Sequence, residues 1–196
     1  MEGRRGRDSP PSRAFVDSEQ MPTRGPVAVD DILRGFIMNT FDIDRKAPAS
    51  ASATVLIRAP IDEVWNRLTD ISGWPFWNKA ISRVRIDGPA KYGAEFTWST
   101  GGLRIQSTIQ RFDPPYVLGW SGRAPLIKAR HVYWLADLGA MTSVKTEESF
   151  SGPLATVSPR WTKSIIQRSL HQGLAALKAA CETARGGRFE ASQLSA

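Results

Sequence analysis

Residues 59–78 read APIDEVWNRLTDISGWPFWN, and this stretch decides the fold. Pro60 suits the first position of a helix, where its missing N–H costs nothing, and Asp62 and Glu63 put negative charge into the positive first turn. Ile61, Val64, Trp65 and Leu68 follow at i, i+3, i+4 and i+7, an apolar stripe of helical period. Gly73 and the Trp74-Pro75 step then stop the helix and turn the chain, crowding Trp74, Phe76 and Trp77 together. Ahead of this unit stands an apolar strand, Thr54-Val55-Leu56-Ile57, led in by the small residues of 47–53.

From Ile81 the hydrophobic period changes from helical to two. The segments 81–87, 94–100, 103–112, 116–121, 129–136 and 143–150 read as successive strands. They are separated by Asp87-Gly88-Pro89, Gly101-Gly102, Asp113-Pro114-Pro115, residues 122–125 and Asp137-Leu138-Gly139. Links this short, with this turn chemistry, make antiparallel hairpins and not crossover helices. Gly152-Pro153 ends the sheet. Ser158-Pro159 then offers a cap and a first-position proline for a long helix, expected to run to about Ala184 and stop at Gly186-Gly187. Ile166, Leu170, Leu174, Leu177 and Cys181 lie on one face of it, with Gly173 beside them. The periodicity predicts an α+β antiparallel sheet packed by a helix.

This order of elements resembles the START-like, or SRPBCC, superfamily. The resemblance covers roughly residues 51–184, and it is strongest to the bacterial polyketide cyclase/dehydrase-type branch. The residues that carry it are Ala59-Pro60 with Val64-Trp65, Trp74-Pro75 with Trp77-Asn78, Asp113-Pro114-Pro115, Gly119-Trp120, His131, Thr146-Glu147-Glu148-Ser149 and Gly152. They mark fold more than activity. The resemblance implies a helix-grip fold, in which the sheet curls around the terminal helix and leaves a cavity for a hydrophobic small molecule, lipid-like or aromatic. The branch contains cyclases and dehydratases as well as lipid and isoprenoid carriers, and some START-like relatives act on macromolecules.

Composition bounds the rest. Residues 1–44 are expected to be a disordered or loosely attached extension, in which 29–41 could form a short docking helix, because Gly, Pro, Ser and Arg dominate its start. The domain is expected over 45–186, followed by a flexible tail, 187–196. A single cysteine, Cys181, excludes an internal disulfide framework and fits a reducing, cytoplasmic setting. No apolar run approaches the roughly 20 residues of a membrane helix. The net charge is +7, but residues 1–50 balance eight Lys/Arg with eight Asp/Glu, so the excess belongs to the domain. Arg160, Lys163, Arg168, Lys178, Arg185 and Arg188 lie on or just past the last helix, while Arg83, Arg85, Arg104 and Arg111 fall singly along strands. A basic face steers acidic partners, which makes a macromolecular interaction module a further alternative, yet no binding motif accompanies it, so nucleic acid is not the expected partner.

Strand register supplies the candidate site. If the hairpin of residues 137–140 centres near 139–140, His131 falls opposite Glu148, Tyr133 opposite Thr146, and Leu135 opposite Val144. All six share one face, which Leu135, Val144 and Phe150 mark as the core face. A His and a Glu facing each other over an apolar cavity can pass a proton, with Tyr133 as hydrogen-bond donor; the alternative is a buried pair that holds register. Trp77, Phe96, Trp98, Trp120, Ile166, Leu170 and Leu174 are the expected ligand-binding wall. Trp161 and Ile165, off the main stripe, guard the cavity mouth or clasp a loop. Two His and one Cys, far apart, give no metal-ligand spacing, and no nucleotide loop or serine elbow occurs, so no cofactor is implied.

Overall fold

The first strand, β1, runs Ala49–Ile57 and leads into α1 at Ile61–Thr69. The coordinates are those of a computed structural model that describes residues 40–193, with side chains as far as residue 183. Pro60 precedes the first turn of α1, and its carbonyl accepts the N–H groups of Glu63 and Val64 at 3.1 and 3.2 Å. The predicted stripe is the buried one: Ile61, Val64, Trp65 and Leu68 all face inward.

The break that follows has a clear physical cause. Asp70 Oδ1 accepts from Gly73 N at 3.1 Å and from Ser72 Oγ at 2.8 Å, which closes a 3-10 turn over Ile71–Gly73. A Cβ on Gly73 would stand 2.1 Å from Asp70 Oδ2, so the turn admits only glycine with Asp70 in place. The chain then re-enters helix for one turn, α2 (Trp74–Trp77). The Trp74 indole N–H donates to Leu68 O at 2.9 Å, which anchors the ring in the core.

Six further strands follow, all antiparallel: β2 (Ile81–Ile86), β3 (Glu95–Thr100), β4 (Leu103–Asp113), β5 (Val117–Ala124), β6 (Ile127–Asp137) and β7 (Thr142–Ser151). With β1 they form one seven-stranded sheet in the order β1-β7-β6-β5-β4-β3-β2. A one-and-a-half-turn helix, α3 (Pro153–Val157), lies where the sequence reading places only a break. The long helix α4 (Pro159–Gln193) follows Ser158, whose carbonyl takes both the N–H and the hydroxyl of Thr162, at 3.0 and 2.9 Å. Ile166, Leu170, Leu174, Leu177 and Cys181 are its buried face. That face packs on β1, β7 and α1, so α4 covers one side of the sheet and not the middle of it.

Two boundaries differ from expectation. Helix α4 continues through Gly186-Gly187 to Gln193; a glycine costs about 1 kcal/mol in a helix interior but does not forbid it. The folded domain also begins before residue 45. Ile43 is buried against Val117 and Val132, and Phe41 lies over Gly119, where a Cβ would crowd its ring at 3.1 Å. Arg45 grips both carboxylate oxygens of Glu147, at 3.2 and 2.9 Å. This strap covers the outer face of β5–β7 and partly buries Trp134. The expected helix over 29–41 lies outside the described residues except at its last two.

Candidate functional site

The inner face of β5–β7 carries a stack of rings. His131 pairs with Trp120 across β5–β6 and with Glu148 across β6–β7, and Tyr133 pairs with Thr146. The His131 ring stands 4.5 Å from Trp120 and 4.7 Å from Tyr133, centroid to centroid, the second nearly parallel at 19°. Side chains alternate in β7 as strand geometry requires. Glu147 therefore points outward to Arg45 and Lys145, whereas Glu148 points inward to His131.

Both nitrogens of His131 face protein groups. Nε2 shares a hydrogen bond of 2.7 Å with Thr146 Oγ1, and Nδ1 stands 3.4 Å from Glu148 Oε1. Thr146 Oγ1 is also 3.3 Å from the Val132 carbonyl oxygen. If the threonine hydroxyl donates to Nε2, the ring proton sits on Nδ1 and faces the carboxylate. If it donates to Val132 O, Nε2 must carry a proton, and Nδ1 either accepts one from Glu148 or holds a second itself. Burial first, then the nearby Glu148 charge, hold the Tyr133 phenol well above its usual range against a smaller opposing pull from Thr146. Tyr133 is therefore a hydrogen-bond donor at neutral pH.

Two connected spaces lie between this face and α4. The outer one is a groove of about 530 Å³, walled by Trp98, Trp120, Phe150 and Ile166 and touched by Glu148. Its volume falls in the range of small-molecule sites. The inner one is a chamber of about 60 Å³, bounded by Trp77, Asn78, His131, Tyr133 and Leu170. Trp98, Trp120, Ser169 and Gln172 belong to both walls.

Of the expected wall residues, Trp98, Trp120 and Ile166 meet in the groove, and Trp77 and Leu170 in the chamber. Phe96 and Leu174 line neither. Each is 2% exposed and fills the core, Phe96 against the rings of Trp74 and Trp120 at 5.7 and 6.1 Å. Trp161 and Ile165 stand at the groove mouth, 55% and 39% exposed. With Ser169 and Gln172 they form a second stripe on α4, one step round from the buried one. That spacing was visible in the sequence, as was Asn78 at the end of the opening stretch, but neither is apolar enough throughout to announce itself. The basic set on α4 is divided: Lys178 Nζ is held by Glu182 at 2.7 Å and Leu56 O at 2.6 Å, while Lys163 and Arg168 are exposed. Among the described residues no group of three His, Cys, Asp or Glu is placed to hold a metal ion, and no helix is long and apolar enough to cross a membrane.

Residues 48–182 match the family described as polyketide cyclase/dehydrase and lipid transport. The chain belongs to this family. Its sheet, short helices after β1 and terminal helix are the helix-grip, START-like fold that the sequence predicts. Solved structures agree at the level of fold. A hypothetical protein from Helicobacter pylori superposes with a TM-score of 0.62 at 17% identity, over 70% of this chain and 90% of that one. A START superfamily protein from Mycobacterium smegmatis gives 0.61 at 16% identity, over 68% and 97%. The Zhui aromatase/cyclase from a Streptomyces species gives 0.52 at 18%, over 66% and 93%. Among curated proteins none matches the sequence.

Proposed function

We propose that this protein binds a hydrophobic small molecule, lipid-like or aromatic, in the groove between its sheet and α4. The observation that carries this reading is the space itself: about 530 Å³ beside the terminal helix, faced by aromatic rings and opening beside Trp161 and Ile165. Aromatic walls suit flat or polycyclic ligands. The family description, which names both cyclases and lipid transport, supports the same ligand class. A reducing compartment such as the cytoplasm fits the single buried cysteine. The test is a groove-filling variant. Ser169 is exposed and borders both spaces, so Ser169→Trp should weaken binding of a fluorescent apolar reporter by at least about tenfold without lowering Tm. Undiminished binding would place the ligand elsewhere.

A second reading is a cyclase or dehydratase, and the His131–Glu148 contact favours it because Glu148 alone of the pair borders the groove. In this reading Glu148 exchanges a proton with the ligand, His131 replenishes it from behind, and Tyr133 donates a hydrogen bond. Such acid-base help is worth about 10²–10⁴-fold. Turnover of a polyketide-like substrate that survives Glu148→Gln and His131→Ala unchanged would eliminate these roles.

A further inference from the structure

The inner chamber gathers hydrogen-bond donors, and the fold leaves one of them wholly unpaired. Trp74 and Trp98 give their indole N–H groups to Leu68 O and Ser107 Oγ, at 2.9 and 3.1 Å. Trp77 does not: its Nε1 is buried and has no hydrogen-bond partner among the described residues. A buried donor left unpaired is costly, so an acceptor from outside the chain, a ligand atom or a water, is called for there. Next in the chain, Asn78 is itself buried. Its Oδ1 accepts the Ala80 N–H at 3.1 Å, which fixes the amide and leaves Nδ2 as the free end. That end and the Tyr133 hydroxyl flank the same point: a Cβ built on Gly173 would stand 4.0 Å from each. Glycine on the otherwise apolar stripe of α4 therefore leaves the space between two donors open.

All four residues border the chamber. At about 60 Å³ it has room for one small functional group, since a water molecule occupies about 30 Å³ of liquid. The donors come from an indole, an amide and a phenol, none of which carries charge. Among the described residues no Lys or Arg borders the chamber, so a ligand carboxylate would find no fixed countercharge there. A neutral acceptor fits better than an anion.

We propose that the chamber is a subsite for a carbonyl oxygen, held by Trp77 Nε1, Asn78 Nδ2 and the Tyr133 hydroxyl while the apolar body of the ligand lies in the groove. This rests on the groove being the ligand site, and it adds the ligand's chemistry: an aromatic or lipid-like ketone or ester, seated carbonyl first. The same three donors would stabilise negative charge developing on that oxygen if the bound molecule reacts.

The experiment compares two probes of nearly equal shape, acetylnaphthalene and isopropylnaphthalene, each competed against anilinonaphthalene sulfonate on the full chain. The wild type should prefer the ketone by about tenfold, the worth of a neutral hydrogen bond made in a buried site. In Trp77→Phe and in Tyr133→Phe the ratio of the two affinities should fall several-fold toward equality. Because the readout is a ratio within one protein, a partly unfolded variant does not distort it. Equal affinities in the wild type, or a preference that survives both substitutions, would overturn the carbonyl subsite and leave the groove reading intact. If neither probe displaces the reporter, both readings fall.

Discussion

His131 Nδ1 stands 3.4 Å from Glu148 Oε1, and the two residues are direct partners across the β6–β7 ladder. The contact is held from the other side of the ring by Thr146, whose hydroxyl is 2.7 Å from Nε2. His131, Thr146 and Glu148 are all buried, so each depends on the others for its polar partners. Thr146→Val keeps the shape and removes the hydroxyl. It should cost about 1–3 kcal/mol of unfolding free energy, the penalty for a buried ring nitrogen left unpaired. Urea unfolding of the variant checks this, and a loss below about 0.5 kcal/mol would mean that His131 Nε2 has no need of Thr146.

The turn after α1 gives a second test. Gly73→Ala must drive the Asp70 carboxylate from its place, because the new methyl would overlap Oδ2. The cost is therefore the cap itself, about 0.5–2 kcal/mol. Asp70→Ala should cost a similar amount, and the double variant little more than either. Additive losses in a double-mutant cycle would show that Gly73 serves something other than this cap.

Acid should release one tie between α4 and the sheet. Lys178 first, then the Arg58 N–H, hold the Glu182 carboxyl below its ordinary range. A carboxyl depressed in the folded state adds stability that is present above its unfolded pKa and fades as pH falls through the folded one. Wild type should thus exceed Glu182→Gln modestly at neutral pH, and the gap should close in acid below about pH 4. Glu182 is partly exposed, so screening by salt should narrow the neutral-pH gap as well. A gap that widens in acid would contradict the pairing.

Much of this fold is legible because two periods are legible. The stripe of α1 and the alternation from Ile81 onward name helix and strands, and short turns force neighbouring strands to be antiparallel. The hairpin at residues 137–140 then fixes which residues face each other, which is why His131, Tyr133 and Leu135 find their partners in the order read from sequence. What periodicity cannot show is which part of an inner face stays covered. Phe96 and Trp98 share parity and both meet the Trp74 ring edge-on, yet Phe96 is buried and only Trp98 borders the groove. Leu174 likewise shares the stripe of Ile166, yet it is buried in the core while Ile166 borders the groove. Helix α3 is too short to show a period. Trp77 and Tyr133 are legible as wall and donor, but hydrophobic patterning counts the Trp77 ring as plain core and cannot show that its N–H is left unpaired.

The central claim is that the groove holds an apolar molecule, and native mass spectrometry of gently purified protein tests it most directly. The account predicts a bound mass that leaves on denaturation, is replaced stoichiometrically by added acetylnaphthalene, and is missing from Ser169→Trp. A wild-type chain that flies bare and takes up neither acetylnaphthalene nor isopropylnaphthalene would contradict it.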